Sequence, residues 1–127
     1  MDLTIKIVHD GARNASVQLT GSGCCGWREV LRMPDLSPLP REVRIDAVYY
    51  AVSDGLEVQF AWAGEERQPF LPVSGRGRVD FGEVSGLHNT ALTKNGNLEM
   101  QVIGPVSKDK IFTIVLDLSK HIGVANG

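Results

Sequence analysis

Apolar and polar residues alternate with a period of two along most of this 127-residue chain. The stretches "LTIKIVH" and "ASVQLT" near the start, and "KIFTIVLDL" near the end, place an apolar side chain at every second position. No long stretch of the sequence keeps the apolar period of about 3.6 residues that marks an amphipathic helix. Strict alternation is typical of β-strands that bury one face, so the sequence predicts an all-β protein.

Two Xaa-Gly pairs mark the clearest turns in the sequence. Asp54-Gly55 separates "VRIDAVYYAV" from "LEVQFAWA", and Asn95-Gly96 separates "TALTK" from "NLEMQVI". These pairs favour the type I′ turn of a β-hairpin, whose central residues need positive φ, so we expect a hairpin at each. In the first hairpin, one face of the first strand would be lined by Val43, Ile45, Ala47, Tyr49 and Ala51. One face of the partner strand would be lined by Leu56, Val58, Phe60 and Trp62.

The strand signals together predict the fold class. A first hairpin joins the alternating runs before and after "DGARN", and about seven to nine short strands follow one another with turns every 8–12 residues or so. The segment "WREVLRM" fits either a strand or a helical turn, and "PDLSPLP" is predicted to be an irregular link. The segment "PFLPVS" fits either an edge strand or an irregular segment. We expect one antiparallel β-sandwich domain, jelly-roll-like, over residues 1–120, with residues 121–127 as a flexible tail.

Composition and charge exclude several classes of function. The net charge of −2 is spread evenly and gives no basic surface for nucleic acid or anionic membranes. No apolar run approaches the roughly 18 residues of a membrane-spanning helix. The first ten residues alternate and contain no apolar signal-peptide core. These features predict a cytosolic protein, or one assembled in a cytosol.

The segment "GSGCCGWREV" raises the question of thiol or metal chemistry. Adjacent Cα atoms lie about 3.8 Å apart, below the usual disulfide range of about 4.4–6.8 Å, so we expect Cys24 and Cys25 to be reduced. A structural zinc site needs about four ligands in close pairs, whereas His9, His88 and His121 stand alone in the sequence. The segment is predicted to be a glycine-rich corner with one cysteine packed inward.

No other segment carries a catalytic or cofactor signature. "SGRGRVDFG" lacks the Lys-Ser/Thr of a phosphate-binding P-loop and does not precede a predicted helix. Arg76 and Arg78 in this segment either contact an anion or a partner protein, or are solvated. We therefore predict no catalytic residues, no metal site and no cofactor, and a protein that is not an enzyme.

Three segments taken in order carry a family resemblance: "VRIDAVYYAVSDGLEVQFAW", "GRGRVDFGEVSGLHN" and "KIFTIVLDLSK". Across residues 43–120 the order of hairpins and turns resembles small structural proteins of tailed bacteriophages, in particular head decoration or cement proteins. The resemblance implies a non-enzymatic β-sandwich that binds and stabilises the assembled head. It implies a location on the capsid exterior after assembly in the bacterial cytoplasm.

The resemblance also implies partners and an interface. The expected partners are the major capsid protein or other virion proteins, together with further copies of this chain in a dimer or trimer, and neither nucleic acid nor membrane. The assembly interface that we predict consists of Pro69, Phe70, Arg76, Arg78, His88 and Asn89.

Two alternatives come from other classes of protein. The first is a β-sandwich carbohydrate-binding module, or a tail or fibre accessory, in which Tyr50 either forms an aromatic platform or lies between the sheets. The second is a thiol enzyme that uses Cys24 or Cys25 together with His88.

Overall fold

A computed structural model describes residues 2–24, 26–37, 40, 42–64, 66–81, 97–105 and 109–121. Over these residues the chain forms nine β-strands. They are β1 (Asp2–Asp10), β2 (Asn14–Ser22), β3 (Trp27–Leu31), β4 (Glu42–Val52), β5 (Glu57–Trp62), β6 (Gln68–Val73), β7 (Arg76–Asp80), β8 (Leu98–Ile103) and β9 (Ile111–His121). None of the described segments forms a helix long and apolar enough to span a membrane.

The strand order confirms the predicted fold class. Sheet A has the order β1-β2-β9-β4-β7, and sheet B has the order β3-β8-β5-β6. All pairs are antiparallel. Apart from β1 and the β5–β6 hairpin, which stays within sheet B, successive strands alternate between two four-stranded sheets in the manner of a jelly roll. The protein is a nine-stranded jelly-roll sandwich over the described residues, and β1 makes sheet A one strand wider than sheet B.

The turn at Asp54-Gly55 forms as predicted, but it does not make a hairpin. Gly55 has a φ of 88°, and the Leu56 amide donates to the Ser53 carbonyl at 3.1 Å. However, β4 pairs with β7 and β9 in sheet A, whereas β5 pairs with β6 and β8 in sheet B. A tight turn fixes the local reversal, and long-range strand pairing then decides which sheet each strand joins. The hairpin prediction is therefore wrong here, while the antiparallel pairing of β1 with β2 confirms the first hairpin.

The core lies between the two sheets, on the faces that alternation predicts for most strands. Leu56, Val58, Phe60 and Trp62 are buried together, as expected. The same is true of the apolar face of β9, which consists of Phe112, Ile114, Leu116 and Leu118. Branched and aromatic side chains at every second position thus drive the sheets together by removing apolar surface from water.

One strand departs from simple alternation because it contains a β-bulge. In β4 the register shifts between Ile45 and Ala47, which leaves Asp46 as the extra residue. The Asp46 carbonyl accepts a hydrogen bond from the Phe81 amide at 2.7 Å. Beyond the bulge Val48 is buried and Tyr49 is 38% exposed. The predicted shared face of Val43, Ile45, Ala47, Tyr49 and Ala51 is therefore wrong, since Val43 and Ile45 are buried in the core whereas Tyr49, beyond the bulge, is exposed.

The cysteine corner differs from its prediction in redox state. Cys24 is buried, as expected for the inward cysteine, but it is disulfide-bonded. The chain has one other cysteine, Cys25, which lies outside the described residues. The prediction of a reduced Cys24 is therefore wrong. Gly23 and Gly26, on either side of the two cysteines, adopt φ values of 75° and 93°, in the left-handed region that glycine enters at little cost.

The remaining local predictions concern two segments of ambiguous structure, one turn and the C-terminal tail. "WREVLRM" forms strand β3 and then a short 3₁₀ turn over Met33–Asp35. "PFLPVS" contributes β6, an edge strand of sheet B, as one of the two alternatives predicted. The Asn95-Gly96 turn and residues 122–127 of the predicted tail lie outside the described residues.

A buried lysine connects three distant segments at one end of the sandwich. The Lys120 side chain is fully buried on the inner face of β9 and forms an ion pair with Asp10. Its ammonium group also donates to the carbonyls of Gly11 and Ser37. Asp10 in turn accepts from the Ser37 amide at 2.9 Å. These bonds attach the β1–β2 turn and the proline-rich link to the end of β9.

This arrangement predicts how stability depends on acid. The hydrogen bond from Lys120 holds the pKa of Asp10 below its ordinary value of 3.8, although partial burial opposes the effect. The unfolded chain therefore takes up this proton at higher pH than the folded protein does. The stabilising contribution is present above pH ~4 and is lost as pH falls through the lowered pKa. We expect the Asp10→Asn variant to lose less stability than wild type between pH 5 and pH 2 or so, measured by urea unfolding at each pH. Equal losses in both proteins would contradict the assignment to Asp10.

Candidate docking surface

Arg76 and Arg78, two of the residues predicted at the interface, lie on the outer face of sheet A. They belong to β7, which is an edge strand of that sheet. Arg78 lies opposite Tyr49 and Arg76 opposite Ala51 in the antiparallel pairing with β4. Because directly opposite residues share a face, the two arginines flank the part of β4 that the bulge turns outward.

Arg78 is held over an exposed aromatic ring. Its guanidinium carbon lies 5.1 Å from the centroid of the Tyr49 ring, a distance suited to a cation–π interaction. The same guanidinium donates to Asp80 Oδ2 at 2.7 Å. The pair with Asp80 orients Arg78 while both side chains stay more than half exposed, so the cluster presents an ordered cation to the solvent.

A groove with a mixed polar and apolar lining adjoins these residues at the end of sheet A. Arg76, Ile111 and Thr113 line it together with Ala51, Val52 and Ser53, and its volume is about 340 Å³. Ile111 is 58% exposed, the most of any large apolar residue in the described chain. We call Tyr49, Arg76, Arg78 and Ile111 the arginine–tyrosine surface.

The other predicted interface residues do not join this surface. Pro69 and Phe70 belong to β6, at the edge of the opposite sheet. Phe70 turns inward, where its ring stacks on Trp62 with centroids 4.9 Å apart, so it closes the core at that edge. Pro69 is exposed. His88 and Asn89 lie outside the described residues.

A second polar cluster lies on the outer face of sheet B. Arg67 stacks on Trp27, with its guanidinium carbon 4.5 Å from the ring centroid, and pairs with Glu99 at 3.0 Å. Beside it, the Gln101 amide donates to Gln59 at 2.8 Å. This face pairs a half-buried indole with side-chain amides, and it repeats the arginine–aromatic–carboxylate arrangement of Arg78 on the other sheet.

Sequence reasoning missed two members of the arginine–tyrosine surface. Ile111 stands one position out of phase with the buried alternation of β9, and this phase is a usable signal for an exposed apolar residue. Tyr49 had no such signal, because its exposure depends on the bulge at Asp46. Tyr50, the other tyrosine of β4, packs against the core instead of forming an exposed platform.

The residues considered for chemistry do not converge in the described part of the chain. Within those residues, no three His, Cys, Asp or Glu side chains lie close enough together to hold a metal ion. Cys24 is buried and disulfide-bonded, so in this form it is not a free nucleophile. His9 is exposed on β1.

The strand order and these surfaces define a jelly-roll β-sandwich protein with a candidate docking surface. No family model and no curated protein matches the sequence. Among solved structures, the chain is similar to peruvianin-I, a cysteine peptidase from Thevetia peruviana latex (TM-score 0.44, 9% identity). The match covers 94% of this chain and 62% of the peptidase, so this chain spans less than two thirds of that protein.

Two cupin proteins are also similar. A cupin domain from Bordetella pertussis aligns with a TM-score of 0.40 and 10% identity, over 94% of this chain and 93% of that one. An RmlC-like cupin from Desulfovibrio desulfuricans aligns with a TM-score of 0.36 and 11% identity, over 91% and 82% of the two chains. Similarities this weak carry no functional argument, and the jelly-roll assignment rests on the strand order.

Proposed function

We propose that this protein is a non-enzymatic virion structural protein of a tailed bacteriophage, a head decoration protein that binds the assembled capsid and stabilises it. The observation that carries the proposal is the arginine–tyrosine surface on sheet A. Arginine and tyrosine are enriched at protein interfaces and at their energetic hot spots. Here they lie beside the exposed Ile111 and a groove that a partner side chain can fill.

The identity of the partner rests on the sequence resemblance. The segments that resemble phage decoration proteins include β4, β7 and β9, and these strands supply all four residues of the arginine–tyrosine surface. The proposed partner is the major capsid protein, and the proposed location is the outside of the head. A symmetric oligomer of this chain would repeat the surface and so bind several capsid subunits at once.

The test is binding to expanded heads of the phage that encodes the protein. We expect wild type to co-sediment with heads and the Arg78→Ala variant to bind about tenfold more weakly or worse, since hot-spot truncations have effects of that size. Arg67→Ala is the matched control, because Arg67 also stacks on an aromatic ring and pairs with a carboxylate. It lies on the other sheet and should bind like wild type. If wild type ignores heads, the virion function is wrong; if both variants bind like wild type, the surface is wrong.

The outer face of sheet B supports a second candidate, a carbohydrate-binding module. Trp27 offers an aromatic ring, and Gln59, Gln101 and Glu99 offer hydrogen-bonding groups beside it. For a sugar to stack on the indole, Arg67 has to move aside or contact the sugar itself. Glycan-array binding that is lost in Trp27→Ala and kept in Arg78→Ala would favour this candidate over the decoration protein.

A further inference from the structure

The outermost strand of sheet A has an unpaired edge over the described residues. β1 pairs with β2 on one side and with no described strand on the other. Its pairing is regular from Asp2 to Ile7, and the register shifts only between Ile7 and His9. A regular, unpaired strand edge presents backbone donors and acceptors in the spacing that another strand needs.

The inner face of β1 is also incompletely covered, because sheet B has one strand fewer than sheet A in the described part of the chain. Leu3, Ile5 and Ile7 point to the same side as the buried residues of β2. Ile5 is nevertheless 43% exposed. A groove of about 430 Å³ runs beside these residues, lined by Ile5, Ile7, Glu29, Val30, Leu31, Arg32 and Asp35. Over the described residues, β1 thus combines an unpaired edge with an apolar face that stays partly exposed.

The sequence of this strand complements itself. We propose that β1 pairs with β1 of a second copy of this chain, antiparallel and about a two-fold axis at Thr4. In this register Asp2 lies opposite Lys6 of the second copy, and Leu3 lies opposite Ile5 of the second copy. The two Thr4 side chains meet on the axis. Opposite charges, apolar pairs and threonine pairs are the cross-strand combinations that stabilise a sheet.

The charges select this register over its neighbours. When the two-fold axis passes through a residue, the residue numbers of directly opposite positions differ by an even number. Because side chains alternate between the two faces of a strand, every such register keeps the apolar side chains of both strands on the same face. An axis at Lys6 would place the two lysines against each other and Asp2 against Asp10, and like charges directly opposite are destabilising. An axis at Ile5 forms no charge pair. Only the axis at Thr4 forms two attractive pairs within the regular part of β1.

The result is a symmetric dimer in which the two copies of sheet A become one continuous sheet. The exposed Ile5 of each copy packs against Leu3 of the other, so the two copies cover part of each other's exposed apolar face of β1. This inference deepens the oligomer that the proposed function expects, and it uses a different part of the molecule from the arginine–tyrosine surface. The dimer and the head-decoration function can therefore be disproved separately, since dimerisation is measured in the absence of phage heads.

Charge exchange tests the register directly. In the Asp2→Lys variant both charges of the paired segment 2–6 are positive, and in Lys6→Asp both are negative, so each variant repels its own copies. Mixed with each other, the two variants restore both attractive pairs. By size-exclusion chromatography with light scattering we expect wild type at twice the mass of one chain. Each single variant should dimerise about tenfold more weakly, and the equimolar mixture should dimerise like wild type.

The control is Asp54→Lys, which changes the net charge as Asp2→Lys does but lies in an exposed turn. It should dimerise like wild type. Rescue in the mixture also shows that both single variants fold. A monomeric or trimeric wild type would overturn the proposal, and so would single variants that dimerise like wild type or a mixture that fails to recover.

Discussion

Replacing Lys120 by alanine is expected to lower the free energy of unfolding by about 3 kcal/mol or more, because removing one partner of a buried ion pair typically costs about 3–5 kcal/mol. The Lys120 side chain is fully buried, and its loss leaves Asp10 and the carbonyls of Gly11 and Ser37 without their donor. Asp10 keeps some contact with water, since its side chain is 24% exposed. This places the expected value near the lower end of the range.

Urea unfolding followed by far-UV circular dichroism measures the effect. Lys110→Ala serves as the matched control, because Lys110 is only partly buried and no side-chain bond connects it to distant segments in the structure described here. A surface substitution of this kind should change stability by no more than about 0.5 kcal/mol. Lys120→Met keeps the apolar stem and should recover part of the loss. Equal stability of the Lys120→Ala and Lys110→Ala variants would show that the buried ion pair contributes nothing.

Replacing Trp62 by alanine is expected to cost about 3–5 kcal/mol, the usual range for deleting a large aromatic side chain from a core. Trp62 is fully buried on the inner face of β5. The rings of Phe60 and Phe70 both stack in this region, with the Phe70 centroid 4.9 Å from that of Trp62 and 6.5 Å from that of Phe60. The cavity left by the indole would remove contacts from the Phe70 ring, and Phe70 would no longer close the edge of sheet B.

The chain offers a natural comparison in its other tryptophan. Trp27 lies on the outer face of sheet B, where Arg67 covers its ring. A solvent-exposed cation–π pair contributes about 0.5–1 kcal/mol, so Trp27→Ala should cost far less than Trp62→Ala. Thermal and urea unfolding of the two variants side by side measures the difference. Similar losses would mean that the outer cluster is as important for stability as the core, against the burial seen in the structure.

Alternation, together with the regular spacing of the turn signals, was enough to predict the fold class, and alternation predicted most of the core. The faces of β5 and β9 are buried as the sequence predicts, because a period of two places every second side chain between the sheets. Sheet membership was not predictable in the same way. The Asp54-Gly55 turn is read correctly from two residues, but whether β4 and β5 pair depends on contacts with strands far away in the sequence.

The candidate site was predictable only in part. Arg76 and Arg78 stand out in a glycine-rich segment, and both prove to be exposed on one face. Tyr49 could not be assigned to that face, since a single bulged residue reverses the alternation of β4 and leaves no mark in the composition. Phe70 was wrongly predicted to lie at an exposed interface, because it lies between two prolines in a segment that reads as an edge strand. The structure shows instead that its ring stacks on the buried Trp62.

The position of β9 in the sheet order has a consequence for biosynthesis. β9 lies at the centre of sheet A, between β2 and β4, yet among the nine strands of the described residues it is the last to be translated. Until it leaves the ribosome, the β1–β2 hairpin and the β4–β7 pair have no strand to join them, and their apolar faces stay open. Sheet A therefore has to close after synthesis of residue 121, in one late step, and a nascent chain that stalls before β9 would expose two unpaired half-sheets to aggregation.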